Sequence, residues 1–365
     1  MKKGILVTLY DDSNYGNKLQ NYAVYRLLTD RGIDIVNIKN NRHLNYINQN
    51  YLKAHIKFYL SKIKYYIKKR NCYGLKYYKY RKNNFKNFSK QIKTSKHYFS
   101  YNSILKYDNN DYLFVGSDQV WNPYMALDDL SLFNGFKNGI KVSISASFGV
   151  SKIDNKTTNR IKKSLEDFAF ISVREKDGKK IVDSLGIDKK CHLLVDPTMA
   201  IERKVWENQA KKPFFEIKCD YILLAFLGRP DEKLIQQINE FATKKGLDVI
   251  DIYKKNSYYT SCGPSEFLYL EKNASLICTD SFHASVFGII FNTPILVTGR
   301  NGTKENMNSR IDTLLNKFNL ESRKYNGLIE EDVFDTDYSE SNKILNNEKN
   351  KYEHYLDEII TNERN

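Results

Sequence analysis

Short apolar runs recur along the chain, and many are separated by a stretch with helical spacing. The first is "GILVTLY", followed by a polar turn, then "NKLQNYAVYRLLTDRG", then "IDIVNI". Leu19, Val24, Leu27 and Leu28 fall on one helical stripe, and Gly32 is a natural C-terminal stop. A strand, a helix and a second strand at this spacing form a βαβ unit, which implies a parallel sheet. Such runs resume at "DYLFVGSD", "KVSISASFG", "AFISVRE" and "HLLVDPT". The second half repeats the scheme with "YILLAFLG", "LDVIDIY", "ASLICTDS" and "PILVTG", and with helices over "GPSEFLYLEKN" and "NSRIDTLLNKF". The pattern predicts an α/β protein of two Rossmann-like, doubly wound lobes with a cleft between them. We place the lobes at 1–198 and 199–325, with a basic aromatic insertion at about 40–107 in the first. A polar tail, expected to be helical, follows at 326–365.

The length of 365 residues suits two domains better than one. With 41% hydrophobic and 13% aromatic residues, a sizeable core can form. The formal net charge of +15 suggests nucleic acid until it is located. From Ile35 to Tyr107 there are eighteen Lys or Arg and no Asp or Glu. The remainder is slightly acidic, so the charge belongs to one segment. No run is long enough to cross a bilayer. The N-terminus "MKKGILVTLYDDSNYG" turns acidic and polar too early for a signal peptide, so a cytoplasmic protein is expected. Cys72, Cys191, Cys219, Cys262 and Cys278 are scattered, which fits reduced thiols better than a disulfide framework or zinc site. His43, His55, His97, His192, His283 and His354 are dispersed without HxH or HxxxH, so a metal-free mechanism is expected.

In open α/β sheets, ligands bind at the carboxyl ends of the strands. Polar motifs stand there in both halves: "DDSNYG", "GSDQVWN", "SVRE" and "TDSFH".

Taken together, "SNYGNKLQNYA", "FVGSDQVWN", "SASFG", "ISVREKDG", "LVDPT", "GPSEFL", "TDSFHASVFGIIFNTP" and "NSRIDTLL" resemble the polysaccharide pyruvyl transferase family. The motifs run in order from Gly4 to about Arg323. The resemblance implies a GT-B-like pair of lobes and transfer of a pyruvyl group from phosphoenolpyruvate to a sugar, giving a cyclic pyruvate ketal on a surface glycan. Where members commonly read "NYGAVLQ" and "SFHGTVFS", this chain has Asn17 with Lys18, and Ala284 with Ser285. Neither change removes Asn14, Gln20 or His283, and the acceptor sugar is what they leave open.

Phosphoenolpyruvate carries a carboxylate and a phosphate, which guanidinium forks match bidentately. The reaction also needs a proton at the methylene carbon and a base for the attacking hydroxyl. His283, near neutrality in intrinsic pKa and in the first turn of a helix, suits acid/base work beside a phosphate. Its alternative is a histidine capping a core helix. Asp280 or Ser281 orients that ring or caps the helix, and Ser281 is also a donor-binding candidate. The resemblance assigns Arg174 to catalysis and donor binding, against a plain pairing with Glu175 at a strand end. Arg310, opening a later helix, is a second donor cation or a surface partner of Asp312. Asn14, Lys18 and Gln20 are further donor contacts, with Gly16 allowing close approach. Asp118 is the candidate for a sugar hydroxyl. Trp121 stacks on a sugar face or serves the core, and Glu266 meets the acceptor or caps a helix.

The basic aromatic segment is either a solvated face or a dock for an anionic membrane, since surface glycans are commonly built on a lipid diphosphate. The expected partners are therefore phosphoenolpyruvate, a lipid-linked saccharide and the inner face of the plasma membrane, with no nucleic acid. Phosphoenolpyruvate is expected as donor substrate and no cofactor is required. Two rival readings are a GT-B-type glycosyltransferase using a nucleotide sugar, and a non-catalytic basic scaffold at the membrane.

Overall fold

In the computed structural model the described residues are 1–39, 51–98, 100–125, 127–300 and 306–361. Expectations that fall on 40–50, at the start of the basic insertion, lie outside them. The chain divides into two compact units. Unit 1 comprises Met1–Tyr66, Ser89–Ala200 and Asn350–Asn365; unit 2 comprises Ile67–Phe88 and Ile201–Lys349.

Unit 1 opens with β1 (Lys3–Val7), α1 (Tyr15–Thr29) and β2 (Asp34–Asn37). Two helices follow, α2 (Tyr51–Tyr73) and α3 (Leu75–Ser89), drawn from the basic aromatic segment. The sheet then continues through β3 (Tyr112–Asp118), β4 (Ile140–Ala146), α4 (Asn155–Leu165), β5 (Phe168–Val173), α5 (Lys176–Ser184) and β6 (Cys191–Leu193). Its six strands are parallel throughout, in the order β2-β1-β3-β4-β5-β6. Burial on both faces explains why these strands read as near-continuous apolar runs rather than alternating ones. β3 and β4 approach so closely that a Cβ on Gly116 would lie 2.1 Å from the Ile144 carbonyl oxygen. Only glycine fits there.

A short helix α6 (Pro197–Ala200) ends this part of unit 1, and α7 (Arg203–Gln209) begins the second stretch of unit 2. There follow β7 (Tyr221–Ala225), α8 (Glu232–Lys245), β8 (Asp248–Asp251), α9 (Pro264–Asn273), β9 (Leu276–Thr279), α10 (Phe282–Phe291), β10 (Ile295–Val297) and α11 (Asn306–Lys317). The four strands are parallel in the order β10-β9-β7-β8. The helix ends follow local chemistry. Asp231 caps α8 through the Lys233 N–H, and Gly246 closes it in the left-handed region at φ 67°. α3 is fastened within unit 2 by Arg81, which donates to the Cys262 carbonyl at 3.1 Å, and by Asn84, which donates to the Ser261 carbonyl at 3.1 Å.

The last helix, α12 (Ser339–Thr361), begins in unit 2 and ends in unit 1. Its final turns cover a polar seam in the unit 1 sheet. Ser143 and Ser172 exchange hydrogen bonds between β4 and β5, the Ser143 hydroxyl donating to the Ser172 carbonyl at 3.0 Å and the Ser172 hydroxyl to the Ser143 carbonyl at 2.7 Å. Tyr355 donates to the Ser143 carbonyl at 2.7 Å, and the Ser145 hydroxyl lies 3.3 Å from that of Tyr352. Buried hydroxyls in a sheet core need such partners.

Candidate active site

Each sheet has one point where its connections diverge to opposite flanks, and this is where ligands settle in folds of this kind. In unit 1 the point lies between β1 and β3, because β1 leads through α1 to β2 on one side while β3 pairs on the other. Thr8, just past β1, bridges it by donating to the Ser117 carbonyl at 3.2 Å.

The loop from β1 to α1 is tied down by its own side chains. Asn14 caps α1, its side-chain oxygen accepting from the Asn17 N–H at 3.1 Å. Asn17 in turn donates to the Leu9 carbonyl at 2.8 Å and accepts from the Asp11 N–H at 2.8 Å. Gln20 is buried and donates to the Thr8 hydroxyl and the Asn17 carbonyl, both at 3.1 Å. Lys18 is also buried; its ammonium meets Asp12 at 2.9 Å and lies 4.0 Å over the Tyr10 ring. Burial lowers its pKa, against the pull of Asp12. Asn14, Lys18 and Gln20 thus all shape the loop, Lys18 and Gln20 from buried positions and Asn14 from an exposed one, because a short loop at a sheet edge must satisfy its own backbone groups.

The end of β5 holds a correction. Arg174 is buried and surrounded by carboxylates: Asp196 at 2.5 Å, Asp118 at 3.2 Å and Glu175 at 3.9 Å. Burial disfavours the guanidinium charge, and the three carboxylates more than offset it, raising the pKa. A cation already outnumbered by carboxylates is no seat for a phosphate. Its partners are themselves committed: Asp196 accepts from the Thr198 N–H and hydroxyl, and Glu175 from the Phe148 N–H at 2.7 Å. Arg174 therefore locks the ends of β3, β5 and β6 together. Asp118 is the most accessible of the four side chains, 17% exposed against 10% for Glu175, 3% for Arg174 and 0% for Asp196. It sits at φ 65°, a left-handed conformation that costs a non-glycine residue about 1 kcal/mol. What it offers is a held carboxylate at a switch point, suited to accept from a hydroxyl.

Trp121 is fully buried, its indole N–H donating to the Ser131 carbonyl at 2.9 Å and its ring packed on Phe148 and Phe168. It belongs to the core and has no face for a sugar. Glu266 is used in a capping box, accepting from the Gly263 N–H at 2.9 Å. Its carboxylate is the cap of α9, which replaces the acceptor contact expected for it.

In unit 2 the switch point lies between β7 and β9. Asp280, the residue after β9, closes it. One carboxylate oxygen accepts from the Leu227 N–H at 2.6 Å, and the other from the Gly228 N–H at 2.8 Å and from Arg300 Nε at 3.3 Å. A Cβ on Gly228 would lie 2.8 Å from both Asp280 Oδ2 and Arg300 Cγ, so this crevice has no room for a side chain there. Ser281 is the N-cap of α10, its hydroxyl oxygen facing the Ala284 N–H at 3.5 Å. His283 follows in the first helical turn, half-buried, its ring edge-on to Phe282 with centroids 5.3 Å apart. The guanidinium of Arg310 lies 5.9 Å from the same Phe282 ring. Arg310 stands within α11 rather than at its opening.

The structure thus brings His283, Ser281 and Arg310 to one helix N-terminus around Phe282, and Asp118 and Arg174 to one strand end. The sequence reading missed Arg300 and the clamp formed by Asp280. The signal was present, since Arg300 follows an apolar strand as Arg174 does. Arg310 and His283 meet at the N-terminus of α10, whose free N–H groups favour an anion, while Arg300 is ion-paired with Asp280. Among the described residues no group of three His, Cys, Asp or Glu is placed to hold a metal ion.

Comparison with known proteins agrees with this architecture. A solved structure of a putative UDP-N-acetylglucosamine 2-epimerase from Listeria monocytogenes matches with a TM-score of 0.57, at 8% identity, over 99% of this chain and 98% of that one. The UDP-GlcNAc 2-epimerase from Methanocaldococcus jannaschii matches at a TM-score of 0.48 and 15% identity, over 95% and 99% of the two chains. At such identity the first likeness shows the fold, which is the GT-B type built from two Rossmann-like lobes. No curated protein matches in sequence. The polysaccharide pyruvyl transferase profile, however, matches residues 14–302. That stretch runs from the cap of α1 through the Asp118, Arg174 and His283 strand ends to Arg300, and the chain belongs to the polysaccharide pyruvyl transferase family of transferase enzymes.

Proposed function

We propose that the protein moves the pyruvyl group of phosphoenolpyruvate onto a hexose of a lipid-linked repeat unit, on the way to an anionic capsule or exopolysaccharide. The observation that carries this reading is the unit 2 edge, where His283 stands in the first turn of α10 with Arg310 on the same Phe282 ring. Donor binding is assigned to that edge and acceptor binding to Asp118.

In the proposed sequence, a proton passes from His283 to the methylene carbon of phosphoenolpyruvate, leaving an oxocarbenium-like centre that still bears carboxylate and phosphate. A sugar hydroxyl adds to that centre and gives up its proton to a carboxylate or to the histidine. Phosphate then leaves, and a second hydroxyl closes the ketal, losing its own proton. The sum is one phosphoenolpyruvate and one diol giving one ketal and one phosphate. Arg310 offsets charge on the donor, and departing phosphate is stabilised at the helix N-terminus. The enzyme works at the inner face of the plasma membrane, where a lipid-linked acceptor is presented, and needs no cofactor beyond its donor.

The test is phosphate release from phosphoenolpyruvate with lipid-linked galactose, mannose and N-acetylhexosamine acceptors. Acceptor-dependent release by the wild type, lost in His283→Ala, is the expected result. A protein that binds a sugar nucleotide but neither binds nor consumes phosphoenolpyruvate would replace this reading with glycosyl transfer.

A further inference from the structure

The basic segment folds into helices whose exposed face is aliphatic as well as cationic. Along α2, Ile56, Leu60, Ile63 and Ile67 are 51%, 55%, 55% and 46% exposed. Their spacing of four, three and four residues aligns them in one ridge. Lys64 and Lys68 flank that ridge and are exposed. Across the helix, two residues and more than half a turn from Ile63, the Tyr65 hydroxyl hydrogen-bonds the Ser13 hydroxyl in the loop between β1 and α1, Tyr65 itself staying 40% exposed. The ridge lies on the side of the helix opposite this tether.

An aliphatic ridge of this kind needs a covering, and charge selects which. A second copy of the same face would set Lys64 and Lys68 against their own copies, with no carboxylate between Ile35 and Tyr107 to relieve them. Nucleic acid would meet the charge, but it is bound through stacking rings and phosphate contacts and gives Ile and Leu nothing to bury into. An anionic bilayer satisfies both features, since acyl chains accept the ridge and headgroups accept the lysines.

We propose that α2 lies in the plane of an anionic bilayer, with Ile56, Leu60, Ile63 and Ile67 sunk below the headgroups and Lys64 and Lys68 resting on them. Through Tyr65 and Ser13 this helix is coupled to the loop at the carboxyl edge of the unit 1 sheet. Docking then sets that edge beside the surface from which a lipid-linked acceptor rises. The purpose of the device rests on the proposed acceptor, but its existence is read without any catalysis.

The experiment is flotation of the full-length protein with vesicles of phosphatidylglycerol and phosphatidylcholine, and with phosphatidylcholine alone. Wild type floats with the anionic vesicles only. Lys64→Ala and Lys68→Ala each weaken binding about fivefold, and the quadruple change of Ile56, Leu60, Ile63 and Ile67 to Ser weakens it at least about tenfold. Both native tryptophans, Trp121 and Trp206, are fully buried, so Leu60→Trp supplies a clean reporter. Its emission shifts to the blue with anionic vesicles. The proposal is overturned if wild type does not float, if the emission of the introduced indole stays that of an aqueous one, or if the serine variant floats as wild type does. It is equally overturned if the serine change turns a wild-type dimer into a monomer in sedimentation velocity, which would assign the ridge to a second copy.

Discussion

Arg174 donates to Asp118 at 3.2 Å while meeting Asp196 at 2.5 Å, so one guanidinium fixes an accessible carboxylate against a fully buried one. The pairing makes Arg174 a positioning residue for Asp118. Removing it leaves buried carboxylates uncompensated. Arg174→Ala should lose about 3–5 kcal/mol of stability in denaturant unfolding. Asp118→Asn, which keeps the shape, should change stability little and lower kcat/KM for the acceptor far more than for phosphoenolpyruvate. Equal losses toward both substrates would remove Asp118 from acceptor binding.

His283→Gln should lower kcat by about 10² to 10⁴, the usual worth of a positioned acid or base, with a thermal midpoint close to wild type. Arg310→Ala should instead raise KM for phosphoenolpyruvate about tenfold or more, the cost of a lost charge-assisted hydrogen bond. The split between kcat and KM, measured by continuous phosphate detection, separates the two roles.

Gly228→Ala places a methyl group 2.8 Å from the carboxylate oxygen of Asp280. That oxygen is pinned by the Gly228 N–H and cannot yield freely. We expect a loss of about 1–3 kcal/mol, as for other overpacked sites, together with a weaker donor KM. Calorimetry and steady-state kinetics on the same preparation check both.

Glu271 in α9 is fully buried, and neither carboxylate oxygen has a hydrogen-bond partner among the described residues. Burial pushes this carboxyl well above its usual range. A group whose folded pKa is raised gives its full stability below the unfolded value, near pH 4.3 for glutamate. That stability is lost as pH rises through the folded value. Glu271→Met should therefore raise the thermal midpoint at pH 8 more than at pH 4.5. A shift of the same size at both would mean that folding leaves the pKa of this carboxyl unchanged.

Tyr355→Phe removes one of two donors to the Ser143 carbonyl, which keeps the Ser172 hydroxyl. The expected loss is about 0.5–1.5 kcal/mol, read as a lower urea midpoint at constant slope.

The strands and their carboxyl ends were legible because parallel strands buried on both faces must be apolar and must stop at a polar residue. Asp118 ends β3, and Ser281 and His283 follow the end of β9, as that rule expects. What periodicity could not show was commitment. Arg174 looks like a free cation in "ISVRE", since nothing local reveals Asp196 or Asp118 beside it. Gln20 looks like a polar face, yet α1 is buried from Tyr15 to Val24 and its amide points into protein. Trp121 looked able to stack because "GSDQVWN" follows a strand end, but the chain turns inward there. Arg300 escaped because no motif framed it. The clamp at Asp280 depends on backbone N–H groups of a distant strand, which no side-chain pattern encodes.

The seam closed by Tyr352 and Tyr355 bears on how the protein is made. Tyr355 meets Ser143 across 212 residues of sequence. At ordinary translation speeds the strand carrying Ser143 waits about 10 to 40 seconds on the ribosome before its tyrosine emerges. The longer stretch of unit 2, Ile201–Lys349, is synthesised in that interval. The first lobe to be born is thus the last to be finished, and a nascent chain stalled within the second lobe carries an open sheet for a chaperone to hold.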